Sequence, residues 1–251
     1  MKRFLCFLFA VTMALPALAK EEVKYPGVNW PQDGMLGTYD RASLQRGYQV
    51  YKQVCSACHA MKQISYRNLS DLGYTEDQIK TLAAEVTVQD GPDDSGNMFD
   101  RPGRPSDHFK APFANEKAAR AANGGAYPKD LSLMVKAREG HADYVHALLI
   151  GFDDPPAGFK VPTGMYYNKY FEGHLIGMPS PLSADGLVSY ADGTVATKDQ
   201  MAKDVTEFLS WASEPELETR KKIGLQVLIF LGVFAVIMYF AKKQVWKGVK
   251  H

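Results

Sequence analysis

The residues with the clearest capacity for chemistry are Cys55, Cys58 and His59, in the stretch "VYKQVCSACHAM". Two thiols separated by two residues and followed at once by an imidazole are compatible with three kinds of site. They are found in redox dithiols, in half of a zinc site, and in covalent haem attachment, where both thiols bond to vinyl groups and the imidazole binds iron.

The cysteine count narrows these alternatives. The chain has three cysteines, and Cys6 lies in a predicted signal segment that is removed, so Cys55 and Cys58 remain. Two thiols are too few for a four-cysteine zinc site, and none is left for a structural disulfide. Thioredoxin-like motifs begin a helix after a strand, whereas here a predicted helix runs into the motif. The spacing therefore favours haem, with a redox dithiol as the remaining alternative.

A haem iron bound by His59 needs a second axial ligand, for which Met178 is the leading candidate. It lies in "IGMPSPL", where Gly177 frees the backbone and two prolines stiffen it. His174 and Met165 are its rivals, and a loop methionine that only fills an apolar gap is the alternative reading. Methionine–histidine ligation raises the potential and leaves no open coordination position, so such an iron carries electrons rather than binding substrate.

The first nineteen residues have the pattern of a secretory signal. Lys2 and Arg3 precede an apolar run that ends in Ala-Leu-Ala at Ala19, the expected cleavage site. An uncleaved N-terminal anchor is the alternative.

The chain carries a second apolar segment near its C-terminus, residues 223–241, with no charged residue. As a helix it would be about 28 Å long, which matches the hydrocarbon thickness of a bilayer. A buried core helix is disfavoured because the run is apolar on all sides and flanked by lysines. We therefore expect a periplasmic domain at 20–219, a transmembrane anchor at 220–241 and a basic cytoplasmic tail at 242–251, in a bacterial inner membrane.

Charge is distributed unevenly between these segments. Residues 20–219 contain 20 basic and all 28 acidic side chains, a net charge of −8 that the near-neutral whole chain conceals. An acidic outer domain suits a basic soluble partner and argues against nucleic-acid binding.

The pattern of the outer domain is mainly helical with unusually long loops. A helix capped by Asp40 leads into the cysteine motif, a second begins at a Thr75/Gln78 capping box, and the last begins at Thr197. Shorter helices are expected within 115–124, 130–140 and 141–151. Loops are expected at 90–113 and 152–182, and a small β-hairpin at 187–197 around Asp-Gly. Loops this long indicate a bound prosthetic group on which they pack.

Several motifs together resemble the cytochrome c1 family. They are "GYQVYKQVCSACHAM", "RAANGGAYPKDLS", "AREGHADY", "YFEGHLIGMPSPL", "FLSWASEPE" and the C-terminal anchor, in the family's order and over nearly all of the mature chain. The resemblance implies a mainly α, c-type cytochrome fold with a C-terminal transmembrane helix.

The resemblance also implies a site. Thioethers would form at Cys55 and Cys58, with one haem c whose iron is bound by His59 and Met178. The remaining haem-pocket positions implied by the family are Asn123, Pro128, Arg138, Tyr144, Phe171 and Ile176. Lys129 departs from the family pattern, because many members have a second proline there.

The family further implies a role within a larger assembly. The chain would be a non-catalytic electron-transfer subunit of a quinol–cytochrome c oxidoreductase, taking electrons from a Rieske iron–sulfur protein and passing them to a cytochrome c. Cytochrome b would be its membrane partner. Acidic residues in 90–107 and at Asp153 and Asp154 are expected to meet the acceptor. A stand-alone membrane-anchored cytochrome shuttle and a haem enzyme are the alternatives.

Overall fold

The computed structural model describes residues 23–248, so the predicted signal segment and its cleavage site lie outside the described residues. The described chain is mainly helical, as predicted. Its α-helices are α1 (Arg41–Gln53), α2 (Glu76–Ala84), α3 (Glu116–Ala122), α4 (His141–Ile150), α5 (Lys198–Ser213) and α6 (Leu217–Trp246). Short 3₁₀ helices span Cys55–Ala57, Tyr66–Leu72 and Glu172–His174. Two antiparallel pairs complete it: β1 (Thr87–Asp90) with β2 (Phe99–Pro102), and β3 (Tyr166–Tyr167) with β4 (Leu175–Ile176).

The core is built on the crossing of α1 and α5. Gly47 of α1 lies against the backbone of α5, where a Cβ added to it would be 2.0 Å from the carbonyl oxygen of Asp204. The helices can come this close only because no side chain stands between them. Leu44 and Phe208 are fully buried at the same interface. The apolar side chains of α5 point into this core, since Met201, Val205, Phe208, Leu209 and Ala212 are all buried.

A buried ion pair fastens the same two helices. The Asp204 carboxylate is fully buried and accepts hydrogen bonds from Arg46 Nε at 3.0 Å, Arg46 Nη2 at 2.9 Å and Ser43 Oγ at 2.8 Å. A buried carboxylate is tolerated when its lone pairs are satisfied in this way.

The predicted helix caps form. The Asp40 side chain accepts from the Ala42 N–H at 3.0 Å and begins α1. Thr75 and Gln78 make the reciprocal capping box of α2, and the Thr197 hydroxyl accepts from Gln200 N–H at the start of α5. These local hydrogen bonds fix where the helices begin.

The expected position of the β-hairpin was wrong. Residues 187–197 form a turn, with Gly193 N–H donating to the Tyr190 carbonyl at 3.3 Å, but no strands flank it. Val188, Tyr190 and Ala196 are instead buried in the core, so tertiary packing outweighs the local alternation. A hairpin forms instead at β1–β2, whose Gly- and Asp-rich turn lies in the stretch 90–113 expected to be loop.

The helix expected over 130–140 was also wrong. This stretch forms consecutive turns, in which Ala137 N–H donates to the Leu133 carbonyl at 3.0 Å. At its start the Asp130 carboxylate accepts from both Lys62 N–H (3.0 Å) and Ser132 N–H (2.9 Å), and it ends at Gly140 with φ of 81°. The expected helices at α3 and α4 are confirmed.

Helix α6 is long and apolar enough to cross a membrane. It covers the predicted span and extends it at both ends, over 30 residues. Its first turn is tied to the rest of the protein, because Glu218 accepts two bonds from the Arg41 guanidinium (3.0 and 2.7 Å) and one from Tyr39 N–H (2.8 Å).

Candidate functional site

The cysteine motif forms a compact turn at the end of α1. The N–H groups of Cys58 and His59 both donate to the Cys55 carbonyl, at 3.1 and 2.9 Å. Because both N–H groups bond to this one carbonyl, Cys55, Cys58 and His59 lie in a single turn of the chain. Behind it, the Tyr51 hydroxyl contacts the His59 carbonyl at 3.4 Å, so the buried face of α1 sets the position of the motif.

The His59 ring is held in one tautomer. Its Nδ1 lies 2.7 Å from the backbone carbonyl of Lys129, and since a carbonyl only accepts, Nδ1 carries the proton. Nε2 is then the nitrogen with a free lone pair. Burial lowers the pKa of His59 below its ordinary value, which keeps the ring neutral near pH 7. A neutral imidazole with a carbonyl on its other nitrogen is the usual form of a histidine ligand to metal.

The two thiols differ in environment. Cys58 is exposed and Cys55 is partly buried. The pKa of the Cys55 thiol is raised to about 12, chiefly by burial and to a smaller extent by the neighbouring Cys58. A redox dithiol reacts through a thiolate with a depressed pKa, so Cys55 is unsuited to be the attacking thiol of such a pair.

A single loop, residues 123–130, supports the histidine. At one end Asn123 Nδ2 donates to the Ala119 carbonyl at 2.7 Å, and its own carbonyl accepts from Ala126 N–H at 3.0 Å. At the other end Leu131 N–H donates to the Ala60 carbonyl at 2.9 Å. The loop is thus fixed both to α3 and to the chain just after His59.

The Met178 segment rests on that same loop. Met178 follows β4, and at Gly177 a Cβ would lie 3.3 Å from the Ala126 side chain and 4.0 Å from Met165 Sδ. Ala126 is three residues before the carbonyl that holds His59, a chain distance of at most about 11 Å. The structure therefore brings the Met178 segment and the His59 ring to one loop, with Met165 beside them.

The rival ligands lie in the same region. His174 is on the segment that leads into β4, with its Nδ1 3.2 Å from the Asn168 carbonyl and its ring centroid 5.7 Å from that of Tyr167. Met165 immediately precedes β3, which pairs with β4. The assignment of Met178 over these two stays a prediction. Met98, the third loop methionine, is exposed just before β2.

Arg138 and Tyr144 form a second part of the candidate site. Burial raises the pKa of the Tyr144 hydroxyl, and the adjacent Arg138 guanidinium opposes that rise. A cavity of about 340 Å³ is lined by Lys129, Asp130, Leu133, Met134, Ala137 and Arg138. Arg138 therefore lines the same cavity as Lys129, whose carbonyl bonds to His59.

Three of the remaining predicted pocket residues are only partly buried. Phe171 and Ile176 lie on the chain leading to Met178, with Ile176 paired to Tyr166 in the β3–β4 register. Pro128 lies in the 123–130 loop, next to Lys129. These placements are compatible with a shared pocket, and their roles stay predictions.

Sequence reasoning missed the contribution of Lys129. It was noted only for departing from the family pattern, whereas its backbone carbonyl fixes the His59 tautomer. A main-chain oxygen leaves no mark in a motif. Met134 lines the cavity with Arg138 and is also packed, partly buried, against the core.

The acids expected to meet an acceptor are partly engaged within the chain. Asp90 and Asp107 both pair with Arg101, and Asp153 pairs with Lys169. Asp154 is exposed. Part of the negative surface is therefore neutralised by neighbouring bases.

Comparison with known proteins agrees with this architecture. The cytochrome c1 family matches residues 30–249. The chain is 52% identical over 239 residues to cytochrome c1 of Rhodospirillum rubrum, covering 89% of this chain and 88% of that protein. It is 50% identical over 245 residues to cytochrome b/c1 of Bradyrhizobium diazoefficiens, covering 89% of this chain but 36% of that longer protein. It is 46% identical over 249 residues to the mitochondrial cytochrome b-c1 complex catalytic subunit of Candida albicans, covering 99% and 86%. The chain belongs to the cytochrome c1 family.

Proposed function

We propose that this chain is the electron-transfer subunit of a quinol–cytochrome c oxidoreductase, with one haem c attached through Cys55 and Cys58. His59 and Met178 would be its axial ligands. The observation that carries the proposal is the 2.7 Å contact from His59 Nδ1 to the Lys129 carbonyl, on a loop whose Ala126 side chain would lie 3.3 Å from a Cβ at Gly177. It prepares a neutral imidazole beside two thiols and brings a methionine segment close to it.

The donor set suits haem iron in particular. A neutral imidazole and a thioether are ligands of low-spin haem iron, and together they favour the reduced state. When bound, the haem supplies reversible one-electron chemistry. What the chain contributes is the orientation of His59, the position of the Met178 segment and the partial exclusion of water around them.

The surrounding pocket residues have distinct proposed roles. Arg138 would neutralise a propionate, since it lines the same cavity as Lys129. Tyr144 would hold Arg138 in place, while Asn123 and Pro128 would shape the supporting loop. Phe171 and Ile176 are proposed to give apolar contact along the segment that ends at Met178.

The proposed electron path runs from a Rieske iron–sulfur protein through this chain to a cytochrome c. Two relatives carry names that join the c1 protein to cytochrome b or to a b-c1 complex, which supports cytochrome b as a membrane partner. The acidic outer domain, with net charge −8, supports a basic electron acceptor.

The proposed topology follows from the two apolar segments. A signal at residues 1–19 would export the chain, residues 20–219 would lie in the periplasm, and 220–241 would cross a bacterial inner membrane. The tail at 242–251 carries lysines, which favour the cytoplasmic side. The haem would then lie on the outer side, where a soluble cytochrome has access.

Covalent attachment can be tested directly. In the Cys55→Ser/Cys58→Ser chain we expect haem to be extracted by acidified acetone and absent from the band on a denaturing gel, because no thioether holds it. The natural chain should keep its haem under both treatments. Ser56→Ala is the matched control, since Ser56 lies between the cysteines and its hydroxyl donates to the Lys52 carbonyl at 2.7 Å. Complete extraction of haem from the natural chain would contradict covalent attachment.

Partnership is tested by purification from membranes in mild detergent through a tag on this chain. We expect cytochrome b and an iron–sulfur subunit to co-purify, and added quinol to reduce the haem of this chain and then added cytochrome c. Removing residues 223–251 should release the periplasmic domain (residues 20–219, here called the head) from the membrane, so that cytochrome b is no longer recovered with it. Recovery of the full chain alone, with no quinol-dependent reduction, would favour the stand-alone shuttle.

A further inference from the structure

A short loop at residues 32–37 exposes two apolar side chains. Met35 is 67% exposed and Leu36 is 77% exposed, at the tip of a turn in which Gly34 has φ of 71°. The turn is closed by Thr38 N–H donating to the Pro31 carbonyl at 3.1 Å. A closed turn that presents two large apolar side chains to solvent calls for an explanation, since such residues favour burial.

The base of this loop is bonded to α6. Lys221 Nζ donates to the carbonyl of Gln32 and, at 3.0 Å, to that of Gly37. Those two carbonyls flank the exposed pair along the chain. Lys221 thus clamps both ends of the loop to one turn of α6.

That turn is where the apolar part of α6 begins. Lys221 is two residues before position 223, the start of the uncharged run, which is about 3 Å along the helix axis. If α6 crosses a bilayer, its lysine clamp lies at the polar boundary. The loop is then held at the same boundary, beside the point where the helix enters.

We infer that the loop 32–37 is a second membrane contact, with Met35 and Leu36 inserted into the interfacial layer of the bilayer. This inference rests on the proposed anchoring by α6. Asp33, which is exposed in the same turn, limits the loop to shallow insertion. A single helix leaves a head free to tilt about its entry point, whereas two contacts joined by Lys221 restrict that tilt. The loop therefore sets how the head is oriented over the membrane.

The test uses spin labels on the full chain, in vesicles of phosphatidylcholine and phosphatidylglycerol. Three single variants are labelled: Leu36→Cys, Val195→Cys and Val233→Cys. Val195 is the aqueous control, because it is 75% exposed and precedes α5 at the end away from α6, about 24 Å along that helix. Val233 lies mid-span on α6 and reports anchoring itself. Collision of each label with oxygen and with a water-soluble nickel chelate is measured by EPR.

The inference predicts that the label at 36 collides with oxygen several-fold more, relative to the nickel chelate, than the label at 195. A label at 36 as accessible to nickel as that at 195, with 233 in lipid, overturns the inference and leaves anchoring intact. Nickel access at 233 overturns the anchoring proposal instead. Shielding at 36 that appears only after assembly with other subunits also overturns it, since the loop would then bind protein.

Discussion

Replacing Met178 with leucine is expected to lower the midpoint potential of the haem by on the order of 0.1 V or more, within the ~0.8 V that axial ligands span. Leucine keeps the apolar volume but has no sulfur, so if Met178 is the ligand, as proposed, the iron loses the thioether that favours its reduced state. A fall of 0.1 V is about 2.3 kcal/mol per electron. It makes electron acceptance from a fixed donor about 50-fold less favourable. Optical redox titration of the membrane protein measures the shift.

The vacated position should also become available to small ligands. We expect the Met178→Leu protein to bind added imidazole or carbon monoxide, and the natural protein to bind neither. The matched control is Met165→Leu, because Met165 Sδ lies 4.0 Å from the position of a Cβ on Gly177 and so shares the same surroundings. Met165→Leu should retain the potential and remain closed to ligands.

The opposite pattern would reassign the ligand. If Met165→Leu lowers the potential while Met178→Leu does not, the thioether comes from the residue before β3. If neither does, His174 becomes the candidate, and His174→Ala is then the variant that should open the iron. An unchanged potential in Met178→Leu contradicts the assignment of Met178 in every case.

The parts of this site that were predictable from sequence are those encoded locally. The end of α1 just before Cys55 and the caps at Asp40 and Thr75 depend on residues within a few positions of one another, and the structure has them as expected. The mainly helical class likewise followed from local pattern, since caps marked the starts of α1 and α5 and an uninterrupted apolar run marked α6.

What sequence reasoning missed depends on contacts between distant segments. The Lys129 carbonyl acts on His59 across 70 residues through the main chain, which carries no side-chain signature. The alternating pattern around Tyr190 resembled a hairpin because alternation cannot distinguish pairing with a neighbouring strand from burial against α5. The stretch after Asp130 has a side-chain pattern that resembles a helix. The pattern does not show the long-range hydrogen bond from Lys62 N–H to the Asp130 carboxylate at the start of this stretch.

Gly47→Ala is expected to destabilise the protein by about 3 kcal/mol, at the upper end for overpacking a core. The new methyl would lie 2.0 Å from the Asp204 carbonyl oxygen and 2.7 Å from Phe208 Cβ. A backbone carbonyl cannot move aside as a flexible side chain does, so α1 and α5 must separate. Separation also loosens the bonds from Arg46 and Ser43 to the buried Asp204 carboxylate. Thermal unfolding followed by circular dichroism should show a melting temperature about 6–12 °C lower.

Gly27→Ala is the matched control, because no atom of residues 23–248 lies within 4 Å of its added Cβ, and we expect it to change the melting temperature by less than about 2 °C. If the Gly47→Ala protein has the same melting temperature as the natural protein, α1 and α5 must lie farther apart than the 2.0 Å distance to the Asp204 carbonyl oxygen indicates.

The two main predictions are separable. Met178→Leu acts on the iron and should leave the α1–α5 crossing unchanged. Gly47→Ala acts on the crossing of α1 and α5, and Cys55 directly follows α1. It should therefore lower the stability of the fold, while the haem in the protein that remains folded keeps its midpoint potential.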